Sequence, residues 1–370
     1  TIHFWKQVYP HIEWSDRTTN EWIITLDKSN TLCFDDAVGF KESIISVSIS
    51  NVPLWLDVFS LWNDLQTLKK VESIYLPTMR KPLLPTILTD ELCSLKSGAI
   101  RPVLFLDMIY NATDNSVEYV VGNALIRVNK NYNYDDVLNL QQMQETFSHI
   151  NATSATSANA KEFIAELMIH TNKVFLDKMA SFSQGICRKY TNVTHFHFDF
   201  DFVQGSYVDL KSELETDLNN KKYMRMTSPI RRLTDCLNMI KILELLCHVQ
   251  LPEAIQCYRW WTSDDKMDFI NKNTKQIQKT MTQCKLLWLF QNENKKYEGV
   301  KKGYQGMLLQ HLHNCKYSIY VPELKLTTTI VLPFEKCENG DKNIGEYINI
   351  VFYLFECEHS LTKKIKCQQV

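Results

Sequence analysis

The stretch ISVSIS, residues 45–50, limits the fold more than any other, because apolar and small polar residues alternate in it without a break. A strand turns successive side chains to opposite faces, so Ile45, Val47 and Ile49 are expected on one face and the serines on the other. EWIITL, ending at Leu26, reads as a second strand. VLFLDMIY (103–110) and VEYVVGNALIRV (117–128) flank the turn-forming NATDNS and read as a hairpin. The first third of the chain is therefore largely β, with one helical piece over about 54–69 after Pro53.

The pattern then changes. NATSATSANA (151–160) is small and polar and reads as a loop. Asn159 followed by Glu162 makes a capping box, and Phe163, Ile164, Leu167, Met168, Val174 and Phe175 follow as an apolar helical stripe. A second helix is expected to open at Ser228 and Pro229, show Ile230, Leu233, Leu237, Ile240 and Leu243 on its apolar face, and stop at Pro252. A third is expected from about Asp268 to Phe290. From Gly303 onward the pattern is β again, over a length suited to one small OB-type barrel.

A chain of 370 residues exceeds one compact core, so two or more domains are expected. We place them at 1–295 and 296–370. The formal net charge of −1 gives no global field for a polyanion, so a nucleic-acid site has to be a local patch. Eleven scattered cysteines without a CxxC pair argue against a zinc ribbon or a disulfide framework. They fit an intracellular, reducing compartment, the cytoplasm first and the nucleus or an organelle next. No apolar run is long enough to span a membrane, LLWLF at 286–290 being among the densest. The chain opens on Thr1, so an upstream segment is expected to have been removed or left out.

Asp27, Asp35 and Asp36 fall within ten residues of one another, the last two adjacent and flanked by apolar side chains. Adjacent buried carboxylates need a cation or hydrogen bonds, and a hard divalent ion such as Mg²⁺ is one remedy; a solvated turn is the alternative. KKYMRMTSPIRR (221–232) gathers Lys221, Lys222, Arg225, Arg231 and Arg232 near an expected helix start, either as a phosphate site or as a basic surface turn. THFHFDFDF (194–202) places His195, His197, Asp199 and Asp201 on one face of a strand. Ligands at every second strand position lie too far apart to share one ion, so a polar outer face is favoured. HLHNC, with His311, His313 and Cys315, has the same alternation. No glycine-rich phosphate loop and no serine nucleophile elbow is present.

The order of these segments carries a family resemblance. TLDKSNTLCFDDA resembles, without a gap, the TIDPxDAxDIDDA signature of the ribonuclease II/R family, the RNB-domain exoribonucleases. ISVSISNV stands where that family has VHIADV, and the segment from IYLP through LCSL to FLDM is similar to its VYLP…LCSL…M block. FIAELMIHTN resembles LVEEFMILAN, and KKYMRMTSPIRRLTD resembles YxHFTSPIRRYAD. The resemblance implies an α+β protein: an RNB-type catalytic domain of mixed sheets with surrounding helices, then a C-terminal OB-type barrel. It implies a hydrolytic, processive 3′-to-5′ exoribonuclease that degrades single-stranded RNA to nucleoside 5′-monophosphates with Mg²⁺. Asp27, Asp35 and Asp36 would form the metal centre. Arg231 would hold the scissile phosphate with Arg232 assisting, Arg225 and Tyr134 would contact RNA, and Tyr75 would stack on the terminal base. Protein partners supplying N-terminal RNA-guiding domains are a further expectation. The sequence departs from the pattern at Cys33, where the family has another aspartate, at SISNV in place of HIADV, and at Leu233 in place of tyrosine. A catalytically impaired RNB pseudonuclease, binding RNA or assembling into a larger complex, is the second reading.

Overall fold

The computed structural model of the chain describes residues 2–19, 22–136, 139–151, 159–190, 205–213, 222–294, 303–324, 326–332, 344–357 and 362–370. Its first strands are β1 (Trp14–Arg17), β2 (Ile23–Asp27), β3 (Asp36–Lys41), β4 (Ile44–Ser50), the short pair β5 (Ile74–Tyr75) and β6 (Arg80–Lys81), then β7 (Ile100–Asn111), β8 (Ser116–Arg127) and β9 (Lys130–Asn133). All but β5 and β6 join one seven-stranded sheet in the order β1-β8-β7-β4-β3-β2-β9. The expected hairpin is β7–β8, with Asn111 opposite Ser116 at its tip. ISVSIS is β4, between β3 and β7, and Ile45, Val47 and Ile49 are wholly buried. Ser48 and Ser50 are buried as well, because this central strand is covered on both faces. Arg17 ties three strands together: it pairs with Asp107 at 2.7 Å, reaches Ser46 and lies 3.7 Å over the Phe105 ring. Phe105 faces Gly122 across the hairpin, where a Cβ would sit 2.8 Å from the ring, so only glycine fits.

The helices are α1 (Ile2–Val8), α2 (Val52–Val58), α3 (Trp62–Gln66), α4 (Gln141–Ile150), α5 (Ala160–Ala180), α6 (Leu210–Glu213), α7 (Leu233–Leu245), α8 (Pro252–Trp261) and α9 (Asp264–Asn294). α5 starts as its capping box requires, the Asn159 side chain accepting the Glu162 N–H at 3.0 Å. The single helix expected over 54–69 is two, because Ser60 takes a φ of 51° in the left-handed region and turns the chain between α2 and α3. α7 begins at Leu233 rather than Ser228, and Pro252 opens α8 rather than closing α7. α9 starts earlier than expected, with Asp264 and Asp265 in the first turn, where the helix dipole favours carboxylates. β10 (Ile186–Tyr190), β11 (Gly205–Asp209) and β12 (Lys222–Met224) form a small sheet in the order β11-β10-β12.

Two compact units result. The first comprises Thr1–Ser73, Pro82–Lys189 and Ser206–Asn273; the second comprises Ile74–Lys81, Tyr190–Gly205 and Thr274–Val370. The second contains the closing barrel of β13 (Gly303–His313), β14 (Lys316–Val321), β15 (Leu326–Val331), β16 (Tyr347–Cys357) and β17 (Thr362–Gln369). The barrel is closed in the order β13-β14-β15-β17-β16, antiparallel except where β15 meets β17. Leu308, Ile319, Val321, Ile330 and Ile350 fill its core. The exposed His311 ring lies 4.8 Å from the Tyr317 ring at a tilt of 36°. Cys315 is disulfide-bonded, a departure from the fully reduced chain expected, whereas eight other cysteines among the described residues are free thiols. The motif at 194–202 and Lys221 lie outside the described residues. Among the described residues, no helix is long and apolar enough to cross a membrane.

Candidate active site

Asp27 is the last residue of β2 and Asp36 the first of β3, so two neighbouring strands bring them to one end of the sheet. Asp35 precedes β3 and is 5% exposed. Its Oδ1 accepts the Ile230 N–H at 2.8 Å and its Oδ2 accepts Arg231 Nε at 3.2 Å. The carboxylate thus docks the SPIR turn, across 195 residues of chain, onto the sheet.

The turn explains why α7 starts late. The Arg231 and Arg232 N–H groups both return to the Ser228 carbonyl, at 3.3 and 3.0 Å, so Pro229 sits inside a tight turn. The turn also pairs with the segment 71–73: Ser73 N–H donates to the Arg231 carbonyl at 2.9 Å and Leu233 N–H to the Val71 carbonyl at 2.9 Å. Those long-range bonds hold 228–232 out of helical geometry, and Arg232 becomes the N-cap at φ −134°, ψ 126°. The two arginines therefore lie before the helix and not in its first turn. Their fates differ. Arg231 keeps 43% of its side chain exposed, braced by Asp35 and by Nη2 donating to Ser228 Oγ at 3.0 Å. Arg232 is 9% exposed and bonded to Asp235 through Nε at 3.1 Å and Nη2 at 3.0 Å. Asp235, itself wholly buried, also accepts the Ser228 N–H at 2.9 Å.

The electrostatics are dominated by burial. Asp35 is pushed up to about 6, first by desolvation, against which Arg231, the Ile230 N–H and Arg232 pull down. Asp27 and Asp36 are raised too, first by burial and then by neighbouring carboxylates: Asp36 and Asp35 act on Asp27, and Asp35 acts on Asp36. Among the described residues, no hydrogen bond or ion pair reaches either of these two carboxylates. Arg231 and Lys28 pull Asp27 down and Arg231 and Arg232 pull Asp36 down, yet both stay raised, and a bound cation would lower them further. Their oxygens are hard donors that fit Mg²⁺, which is commonly held by one or two carboxylates with water and substrate phosphate. No cluster of three or more acids, histidines or cysteines able to hold a metal occurs among the described residues. The fit is therefore to an ion anchored by Asp27 and Asp36, with Asp35 committed to the arginine turn.

Comparison with known proteins places this end of the sheet in a family. The sequence from residue 16 to residue 168 matches the RNB domain family. Residues 16–168 form an RNB domain. Within curated proteins, the chain is 30% identical over 171 residues to ribonuclease R of Mycoplasmopsis pulmonis, covering 42% of this chain and 23% of that protein. It is 32% identical over 152 residues to exoribonuclease 2 of Psychromonas ingrahamii, covering 39% and 22%. The chain thus matches less than a quarter of the length of these relatives. The fold is similar to that of Mycoplasma genitalium RNase R in complex with ribose-methylated single-stranded RNA, at a TM-score of 0.64 and 16% identity, over 100% of this chain and 75% of that one. It is also similar to yeast Ssd1, a pseudonuclease, at a TM-score of 0.60 and 13% identity, over 92% and 53%.

The first compact unit holds most, not all, of the residues singled out from sequence. Asp27, Asp35, Asp36 and Arg231 come together, and Tyr134 joins them through its backbone, its N–H donating to the Asp27 carbonyl at 2.9 Å. Cys33 is buried in the loop leading to the acid pair. Arg225 is 2% exposed and donates to the Tyr207 hydroxyl at 3.3 Å, so its guanidinium serves the interior rather than an accessible surface. Tyr75 belongs to the second unit, where it is 44% exposed on β5. Sequence reasoning gave Asp235, Ser50 and Ser94 no part in the site, although TSPIRRLTD, ISVSIS and LCSL contain them.

Proposed function

We propose that this chain is a Mg²⁺-dependent, hydrolytic 3′-to-5′ exoribonuclease that acts processively on single-stranded RNA and releases nucleoside 5′-monophosphates. One observation carries the reading: a buried carboxylate and a half-exposed arginine are locked together beside two further half-buried acids that are raised by desolvation and by one another. Phosphodiester hydrolysis asks for this pairing, with negative ligands on one side and a braced cation opposite the phosphoryl oxygens on the other. When bound, the metal supplies charge neutralisation and a lowered pKa for a water molecule. The chain does the rest. Asp27 and Asp36 would hold the ion. Asp35 and Ser228 hold the Arg231 guanidinium so that its exposed edge meets phosphate without reorganising. Arg232, fastened to Asp235, stiffens the turn from behind and adds positive potential. Tyr134, tied to Asp27 through its backbone, contacts RNA, and Tyr75 offers a stacking face that tolerates any base. Arg225 acts from the interior, through its hydrogen bond to the Tyr207 hydroxyl. In this reading 1–295 carries the chemistry, 296–370 is an OB-type RNA-binding barrel, and guiding domains come from protein partners. The free cysteines fit an intracellular, reducing setting.

Cys33 favours a second reading, since a thiol replaces an acid in the matching motif and is a soft, poor ligand for Mg²⁺. A pseudonuclease on this scaffold would bind RNA and leave it intact. Purified protein and its Asp35→Asn variant, incubated with 3′-tailed RNA and Mg²⁺, separate the two. Degradation by wild type alone supports the enzyme; binding by both without degradation overturns it.

A further inference from the structure

The acid pair stands at the end of a loop that has no strand ladder of its own. Hydrogen bonds from two other segments fix its last two residues. Ser94 Oγ accepts the Phe34 N–H at 3.0 Å, and the Phe34 carbonyl accepts the Leu95 N–H at 3.0 Å. The Asp35 carbonyl accepts the Ser50 N–H at 2.9 Å, and Ser50 Oγ donates to the Cys93 carbonyl at 2.5 Å. Ser50 and Ser94 are wholly buried. The segment they engage is itself stiff. It follows a π-helical turn at Ile87–Leu92, closed by Cys93 N–H donating to the Leu88 carbonyl at 2.8 Å. Arg101 straps it from outside, with Nε on the Ser94 carbonyl at 3.2 Å and Nη2 on the Glu91 carbonyl at 2.7 Å.

We propose that Ser94 is a positioning residue, which holds the peptide ahead of Asp35 and so aims the Asp35 carboxylate at Ile230 and Arg231. This role rests on the acid–arginine pair being the reaction centre. Without Ser94 Oγ, the part-buried Phe34 N–H loses its acceptor, and Phe34 keeps only its carbonyl bond from the Leu95 N–H. A displacement of about 1 Å at a catalytic group costs on the order of 10²-fold in rate.

The test compares wild type with Ser94→Ala by two readouts. The first is amide hydrogen exchange at Ile230, whose N–H is held by Asp35 Oδ1 and not by Ser94. The second is turnover of 3′-tailed RNA with Mg²⁺. We expect Ile230 exchange to accelerate about tenfold or more, and kcat to fall about 10²-fold while KM for RNA stays within about twofold. Faster exchange confined to Phe34 and Leu95, with Ile230 unchanged, would overturn the proposal and leave Ser94 a local structural residue. If wild type proves inactive on RNA and Ile230 exchange still accelerates, the nuclease reading fails and the positioning role stands. Should Ser94→Ala not fold, Ser94→Cys, near-isosteric with a weaker acceptor, takes its place in both measurements. Accelerated Ile230 exchange then supports the positioning role, and unchanged Ile230 exchange overturns it.

Discussion

Replacing Asp35 by asparagine should stabilise the metal-free protein at neutral pH and leave it nearly unchanged in acid. The carboxyl is 5% exposed and its pKa is raised from 3.8 to about 6. The native state therefore holds this proton more tightly than the unfolded chain does. That contribution is fully present below the unfolded value and is lost as pH rises through the folded one. A carboxyl moved this far corresponds to about 3 kcal/mol. Asparagine does not titrate, and it is nearly isosteric with the protonated acid, so at pH 4 the two proteins should differ by only about 1 kcal/mol. Between pH 4 and pH 7 the difference should move by about 2 kcal/mol in favour of the variant, the rest falling below pH 4. Loss of the Asp35 charge also relieves Asp36 and Asp27, which adds to the same trend. Urea unfolding in EDTA across this range, followed by tryptophan fluorescence, measures it. A difference independent of pH, or one moving in favour of wild type, would refute the argument that burial outweighs Arg231 at this site.

Asp235→Asn should cost about 3 kcal/mol in the same urea assay, because it leaves the buried Arg232 without a counter-charge and weakens the acceptor of the Ser228 N–H. Cys33→Asp adds a carboxylate to a loop already short of cations, so in EDTA it should lower stability by roughly 1–3 kcal/mol. Added Mg²⁺ should restore more stability to this variant than to wild type in a thermal-shift assay, and RNA turnover should rise if the missing acid limits it.

Local sequence was a good guide wherever local forces decide. The β7–β8 register follows from NATDNS between two apolar runs, and the start of α5 follows from Asn159 and Glu162. It misled where distant contacts outweigh propensity. Ser228-Pro229 has the composition of a helix start, yet Asp35 and the 71–73 segment take up the bonding groups of the turn and push the helix back to Leu233. The acids were legible because like charges beside apolar residues are costly and need a reason. Which arginine faces solvent was not, since Arg225, Arg231 and Arg232 look alike in sequence and differ only in what the fold lays over them. Ser94 was hidden for the same cause, lying 60 residues from the peptide it holds.

The tie between Asp35 and Ile230 also has a consequence for synthesis. A ribosome adding about 5–20 residues per second needs on the order of 10–40 s to travel from one partner to the other. Throughout that interval the growing polypeptide carries its crowded aspartates without Arg231, the residue that pairs with Asp35. Docking of the SPIR turn onto the sheet therefore waits until both segments have been made, and the strands that carry the acids must form before the partner that locks them.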